Sequence, residues 1–176
     1  MRATLRTALC FSVFVASPCL ASFMEASPNE TIGQANLITR GSPSWSDVGV
    51  LTLDSTNDVD FFAINLNAGE TFTAITTPMS IMFTAPDTLM ALFLSDGTQL
   101  VFDDNLGSGL GSAIQFAASQ TGVYYLGVTG AGDPEFDGSH SSTGIYSLTL
   151  SIVELPEPAT VALVALGVLG LVRKPR

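Results

Sequence analysis

Residues 144–153 decide the fold, and they read Gly-Ile-Tyr-Ser-Leu-Thr-Leu-Ser-Ile-Val. Large apolar side chains occupy the even positions from Tyr146 to Ile152, and hydroxyl-bearing side chains occupy the odd positions from Ser147 to Ser151. Successive side chains of a β-strand point to opposite faces of its sheet. This alternation predicts a strand with one face in a core and the other in water.

Similar segments recur upstream, rich in β-branched and aromatic residues and separated by Gly, Asp, Asn and Pro. Such spacing is typical of short strands joined by turns. Leu89–Leu94 is wholly apolar, which predicts a strand covered on both faces. We therefore predict an all-β fold, a β-sandwich or jelly roll of about eight strands. The predicted strands are Val48–Leu53, Asp60–Leu66, Thr71–Thr76, Thr88–Ser95, Gln99–Phe102, Ala113–Phe116, Val123–Thr129 and Tyr146–Val153.

The N-terminal end has the three parts of a secretory signal peptide. Arg2 and Arg6 precede an apolar stretch at 8–16, and small residues follow it up to Ala21. This order predicts a signal helix over residues 1–21, cleaved after Ala21. A lipidated Cys19 is the alternative, which the preceding proline disfavours.

The last part of the chain, residues 156–176, is a segment of a different kind. An apolar run at 159–172 follows a short acidic motif and precedes a basic end. As a helix this run would span about 21 Å, against about 30 Å for the hydrocarbon core of a bilayer. We predict a C-terminal transmembrane helix whose basic end stays in the cytoplasm; the alternative is a buried C-terminal helix of a soluble domain. The acidic motif is Pro156, Glu157 and Pro158, and the basic membrane stop is Arg173, Lys174 and Arg176.

This C-terminal segment closely resembles the PEP-CTERM sorting signal of Gram-negative bacteria. The resemblance implies export, an intermediate anchored in the inner membrane, and processing by exosortase, a membrane cysteine transpeptidase. It further implies delivery to the cell surface or the extracellular matrix, and an association with exopolysaccharide and biofilm production.

Between the two ends the chain is strongly acidic. Fifteen acidic residues and a single cationic side chain, Arg40, lie in residues 22–155, which gives a formal charge of −14. Such a surface repels nucleic acid and anionic lipid and attracts cations. Cys10 and Cys19 both fall in the signal peptide, so the mature chain has neither a disulfide nor a thiolate site.

A second resemblance covers roughly residues 45–153. Residues 58–70, Asp-Val-Asp-Phe-Phe-Ala-Ile-Asn-Leu-Asn-Ala-Gly-Glu, resemble the opening of the bacterial pre-peptidase C-terminal (PPC) domain, and further family segments follow in order at 87–89, 94–98, 102–105, 121–128 and 144–150. The resemblance implies a β-sandwich that accompanies secreted enzymes, with relatives that bind calcium or extracellular polymers. We expect four parts: a signal peptide at 1–21, an N-terminal extension at 22–44, the sandwich at 45–155 and the sorting tail at 156–176.

Calcium is the metal that the acidic residues favour, because it takes six to eight hard oxygen ligands. Three clusters could supply them, and the second is our first choice because a hairpin could bring its members together. The third alternates acids before a glycine as an EF-hand loop does, but it lacks the closing glutamate. The alternative for each cluster is that its acids only cap turns. The clusters are Asp54, Asn57, Asp58 and Asp60; Asp96, Asp103, Asp104 and Asn105; and Asp133, Glu135 and Asp137.

Catalytic residues are poorly supplied in the central domain. His140 is the single histidine, and its Gly- and Ser-rich surroundings predict a solvated loop residue rather than part of a triad. We therefore predict a non-enzymatic, exported surface or matrix protein whose sandwich is a binding or structural module, stabilised by calcium and associated with exopolysaccharide. The alternatives are an accessory module for a separate secreted hydrolase and, third, a hydrolase that uses paired carboxylates.

Overall fold

Residues 23–80 and 84–154 are described by the computed structural model, and they form nine strands and one short 3-10 helix, Ile32–Gln34. The strands alternate buried and exposed positions wherever one face of the sheet meets the core. They are β1 (Asn36–Ile38), β2 (Trp45–Leu53), β3 (Asp60–Leu66), β4 (Glu70–Met79), β5 (Thr88–Phe93), β6 (Gln99–Asp103), β7 (Ala113–Ala117), β8 (Gly122–Gly130) and β9 (Gly144–Glu154).

The two sheets pack face to face. One contains five strands in the order β1-β3-β8-β5-β6, and the other contains four in the order β2-β9-β4-β7. All neighbours are antiparallel except β1 and β3, which run parallel. The inner face of β9 buries Tyr146 and Leu148 against residues such as Phe62 and Leu126 of the opposite sheet. The predicted all-β fold of two sheets is thus confirmed.

Each of the eight predicted strands is present, with ends that differ by up to three residues. The prediction for Leu89–Leu94 is confirmed for residues 89–93, which are buried in β5, whereas Leu94 follows the strand and is half-buried. The signal helix, the sorting motif, the transmembrane helix and the basic stop lie outside the described residues. In the described part of the chain, no helix has the length and apolar character needed to cross a membrane.

The N-terminal segment, in which the sequence shows few strand signals, is integrated into the sandwich. Phe23 forms a parallel bridge with Gly49 of β2, and its ring packs edge-on against Phe62 at 6.0 Å between ring centroids. A Cβ atom at Gly49 would lie 2.5 Å from the Phe23 ring, so this close approach requires glycine. The strand β1 then adds Ile38 to the core. The segment therefore closes one side of the sandwich.

Candidate carboxylate site

Three carboxylates from distant parts of the sequence meet at the start of β3. Oxygen atoms of Glu25, Asp58 and Asp60 all lie within 4.8 Å of one another. Glu25 comes from the N-terminal segment, Asp58 from the turn between β2 and β3, and Asp60 is the first residue of β3. Asp60 is fully buried, and Asp58 is 8% exposed. We call these three residues the carboxylate trio.

Asp60 is the most constrained member of the trio. The Tyr146 hydroxyl donates a hydrogen bond to its Oδ2 atom, and the Asn29 Nδ2 atom donates to its Oδ1 atom at 3.0 Å. Burial, with the charge of Glu25 second, raises the pKa of Asp60 to about 8 in spite of these two donors. The same burial, together with the Asp60 carboxylate, raises the pKa of Tyr146 well above its usual range.

The other two members experience the same crowding. Burial is the main cause that raises the pKa of Asp58, although its Oδ2 atom accepts the backbone N–H of Asp54 at 2.5 Å. Burial likewise raises the pKa of Glu25, and the charges of Asp58 and Asp54 add to the effect. The Glu25 Oε2 atom accepts the backbone N–H of Thr52 on β2 at 3.3 Å. The trio is therefore held by the fold in a geometry that disfavours its own ionisation.

No lysine or arginine of the described residues pairs with the trio, and the charge of His140 is only a minor influence that lowers the pKa of Asp58. Arg40 is the single arginine or lysine in this part of the chain, and its Nη1 atom pairs with Glu70 Oε1 at 2.7 Å. The fully buried Asn29, which bonds Asp60 through Nδ2, has an Oδ1 atom without a hydrogen-bond partner. Three carboxylates and an unpaired amide oxygen are the hard oxygen donors that calcium prefers.

The second predicted cluster is divided by β6. Asp96 lies in the turn before the strand, where its Oδ1 atom accepts the backbone N–H of Thr98 at 2.9 Å. Asp103 ends the strand, and its Oδ2 atom accepts the backbone N–H groups of Leu106 at 2.9 Å and Ala113 at 2.8 Å. These carboxylates act as turn and loop caps in the structure, and calcium binding by them stays a prediction.

The neighbours Asp104 and Asn105 contact each other. The Asn105 Nδ2 atom donates to Asp104 Oδ1 at 3.0 Å. Asn105 has a φ of 91°, a left-handed conformation that asparagine adopts more readily than most residues. The pair therefore belongs to the turn that follows β6.

The third predicted cluster is organised by one buried residue. The Asp133 carboxylate accepts hydrogen bonds from the Thr129 hydroxyl at 2.8 Å and from the backbone N–H groups of Asp137 and Gly138 at 3.1 and 2.9 Å. Burial opposes the ionisation of Asp133, but these donors outweigh it and lower its pKa. Glu135 and Asp137 are exposed. In the described residues, the trio is the one group of three or more acidic, His or Cys side chains that is close enough to share an ion.

From the first predicted cluster, the structure brings Asp58 and Asp60 together. Asn57 is exposed, and Asp54 donates its backbone N–H to the carboxylate of Asp58. Sequence reasoning missed Glu25 and Asn29, because they lie in the segment that lacks strand periodicity. No local pattern in the sequence indicates that these two residues meet the acids of the first cluster.

His140 differs from its prediction as a solvated loop residue. Its Nε2 atom lies 2.8 Å from the Asp58 carbonyl oxygen, and its ring packs directly on Gly130, where a Cβ atom would come within 2.3 Å. This hydrogen bond joins two loops that are distant in sequence, and it explains the difference: His140 holds the 131–143 loop against the turn that carries Asp58.

Two family models match the chain. Residues 58–130 match the bacterial pre-peptidase C-terminal domain, and residues 154–176 match the PEP-CTERM protein-sorting motif. The chain therefore carries a PPC domain followed by a PEP-CTERM sorting motif. That motif is the signal that exosortase recognises, which implies an exported protein that exosortase processes and that is sorted to the cell surface. No curated protein matches the chain.

Solved structures with a similar arrangement share little sequence with the chain. The chain is similar to PliG of Aeromonas hydrophila, a periplasmic inhibitor of g-type lysozyme, at 17% identity over 68% of this chain and 96% of that one, with a TM-score of 0.47. It is also similar to the pre-peptidase C-terminal domain of a Bacillus anthracis collagenase, at 16% identity over 73% of this chain and 100% of that one, with a TM-score of 0.45. A third match is PliG of Salmonella Typhimurium, at 17% identity over 68% and 99% of the two chains, with a TM-score of 0.39.

Proposed function

We propose that this protein is a non-catalytic module of the cell surface or extracellular matrix, and that calcium bound at the carboxylate trio stabilises it. The observation that supports calcium is a group of three carboxylates, two of them buried and Glu25 half-buried, without a lysine or arginine partner among the described residues. Buried Asn29, which donates to Asp60 through its Nδ2 atom, also has an unpaired Oδ1 atom, which is a further oxygen beside the trio. Calcium supplies the charge that the fold omits.

Calcium at this position would join three parts of the chain. Glu25 and Asn29 belong to the N-terminal segment, Asp58 to the β2–β3 turn and Asp60 to β3. Because ligands from separated segments meet only in the folded chain, the free energy of calcium binding adds to the free energy of unfolding. Outside the cell, where calcium is abundant, the N-terminal segment would stay docked on the sandwich.

The geometry of the trio is unfavourable for hydrolysis. Asp58 and Asp60 are buried, and both Asp60 oxygens already accept hydrogen bonds. A glycosidase needs two carboxylates that flank an open cleft wide enough for a sugar. A structural ion needs only oxygens that converge, which is the arrangement observed.

The sorting tail at 156–176 would hold the exported chain in the inner membrane until exosortase processes it. We propose an exopolysaccharide-containing matrix, of the kind found in biofilms, as the setting in which the released domain works. The support is the sorting motif together with a domain of formal charge −14, which attracts the divalent cations that also bridge acidic polymers.

Calcium binding is tested by isothermal titration calorimetry of the mature exported protein. We expect one saturable site, which is lost in Asp58→Asn, a substitution that keeps an acceptor for the Asp54 N–H. The matched control is Asp96→Asn at the exposed turn of the β5–β6 hairpin, which should bind as the wild type does. No heat from the wild type at millimolar calcium, or equal loss in the control, would contradict the proposal.

Processing is tested by mass spectrometry of the protein recovered from the extracellular fraction. We expect a C-terminus near Pro156 in cells that contain exosortase, and an intact chain retained in the membrane when exosortase is deleted. An extracellular chain that still ends at Arg176 would contradict the sorting proposal without affecting the calcium proposal.

A further inference from the structure

The outer face of the five-stranded sheet carries a second apolar cluster, separate from the core between the sheets. Three phenyl rings form its centre. Phe93 and Phe136 meet edge to face at 5.1 Å between centroids, and Phe61 lies 5.9 and 6.3 Å from them. These rings are the floor of a cavity of about 360 Å³. That volume falls at the lower end of the range for small-molecule sites.

Loops and the 3-10 helix form the walls of this cavity. The 3-10 helix contributes Ile32 and Gly33, the β5–β6 turn contributes Gly97, and the 131–138 loop contributes Glu135. Glu30, just before the helix, adds a second carboxylate to the lining. The cavity therefore joins aromatic rings to two acidic side chains, in a region of the chain without a lysine.

Phe136, at the floor of the cavity, has a strained backbone conformation. Its φ of 54° lies in the left-handed region, which is a genuine outlier for a bulky side chain. Its ring fits because residue 127 on β8 is glycine: a Cβ atom there would lie 2.9 Å from the Phe136 ring. Asp133, through the hydrogen bonds described above, fixes the loop that carries Glu135 and Phe136. Strain of this kind persists only where the surrounding structure over-determines the conformation.

We propose that this cavity binds a lysine or arginine side chain of a partner protein. An apolar stem would rest on the phenyl rings, whose faces attract a cation within about 6 Å. The ammonium or guanidinium group would meet Glu30 and Glu135. A formal charge of −14 on residues 22–155 steers a basic partner towards the domain. This site shares no residue with the carboxylate trio, although the charge of Glu30 also acts on Asp58.

The test is an NMR titration of the mature exported protein with n-butylammonium, which reproduces the end of a lysine side chain. We expect saturable shifts of the backbone amides of Gly33, Gly97 and Phe136. The uncharged analogue n-butanol should bind at least about tenfold more weakly, since it keeps the stem and loses the charge. Equal affinity for n-butanol, or the absence of saturable shifts at these amides, would overturn the proposal.

Paired variants separate the cavity from the general field of an acidic protein. Glu135→Gln should weaken n-butylammonium binding by about fivefold or more, because a carboxylate that lines the cavity is neutralised. The control is Glu154→Gln, an exposed position at the end of β9, which removes the same charge and should leave the affinity within about twofold of the wild type. Equal weakening in both variants would overturn the proposal, because it would show that net charge alone attracts the probe.

Discussion

Asp60 and Asp133 are almost equally buried, at 0% and 2% exposure, yet the fold shifts their pKa values in opposite directions. Asp133 has three hydrogen-bond donors at its carboxylate. Asp60 has two donors, and it shares its site with Glu25 and Asp58. Exposed area alone therefore does not identify a candidate ligand. The depth of the carboxyl group in the fold, its hydrogen-bond donors and the neighbouring negative charges together decide the direction of its pKa shift.

The largest effect on the free energy of unfolding is expected for Asp133→Ala. Three donors, among them the N–H of buried Gly138, would lose their acceptor at once, which we expect to lower the free energy of unfolding by about 3 kcal/mol. Urea denaturation should give the same loss with calcium and with chelator, because Asp133 is not a ligand in this account. A loss that appears only when calcium is present would place the ion at Asp133 instead.

Asp60→Asn is expected to raise the free energy of unfolding in chelator, where Asp133→Ala lowers it. The amide keeps the shape of the side chain and removes a buried charge, so the chelated protein at about pH 8.5 should gain about 1–3 kcal/mol in free energy of unfolding. The same variant should lose the stabilisation that calcium gives the wild type. Thermal melting with and without calcium measures both effects, and a variant that still responds fully to calcium would remove Asp60 from the site.

A smaller effect is expected from pH in the chelated protein. The pKa of Asp60 rises on folding from its usual 3.8 to about 8, so its proton favours the folded state. Its contribution to stability is complete below about pH 4 and is lost as the pH rises through about 8. The melting temperature in chelator should therefore fall between about pH 4 and pH 8 and level off at higher pH. Asp60→Asn should flatten this slope; an unchanged slope in the variant would assign the effect to another group.

The stabilisation by calcium should show the reverse trend. Calcium requires ionised carboxylates, so the increase in melting temperature that it causes should grow as the pH rises through about 8. The melting temperature in chelator and the increase caused by calcium can be compared in one protein sample. The comparison separates the trio from Asp133, whose carboxylate already accepts three hydrogen bonds and is ionised throughout this pH range. A calcium effect that is constant with pH would contradict binding at the trio.

The smallest effect is expected at the exposed turn. Backbone and side-chain hydrogen bonds with Thr98 lower the pKa of Asp96, and Asp96→Asn keeps an acceptor for the Thr98 N–H. The melting temperature and the response to calcium should both match the wild type. A lost calcium response would support the second cluster, which the sequence favours.

Much of the fold could be predicted because its signals are local. The alternation in β9 and the apolar run in β5 follow from neighbouring residues, and both strands appear where they were expected. The strand β1 is only three residues long, too short to show a period. It depends on pairing with β3 rather than on its own sequence.

The candidate site could be predicted only in part, because it is made by long-range contacts. Asp58 and Asp60 are close in sequence, and their joint position was expected. Glu25 reaches them from another segment, which no local pattern reveals. Asp103, in the first-choice cluster, and Asp133 both appeared suitable as ligands, because a sequence shows carboxylates and does not show the backbone N–H groups that already bind them.

The most direct measurement is the anomalous difference density of a crystal of the mature protein grown with calcium. We expect a single strong peak among Glu25, Asp58 and Asp60, with carboxylate oxygens at about 2.3–2.6 Å from the ion. The Asn29 amide oxygen should also turn towards the peak. A peak at Asp96, Asp103 or Asp104 with none at the trio, or no peak at millimolar calcium, would contradict calcium binding at the trio.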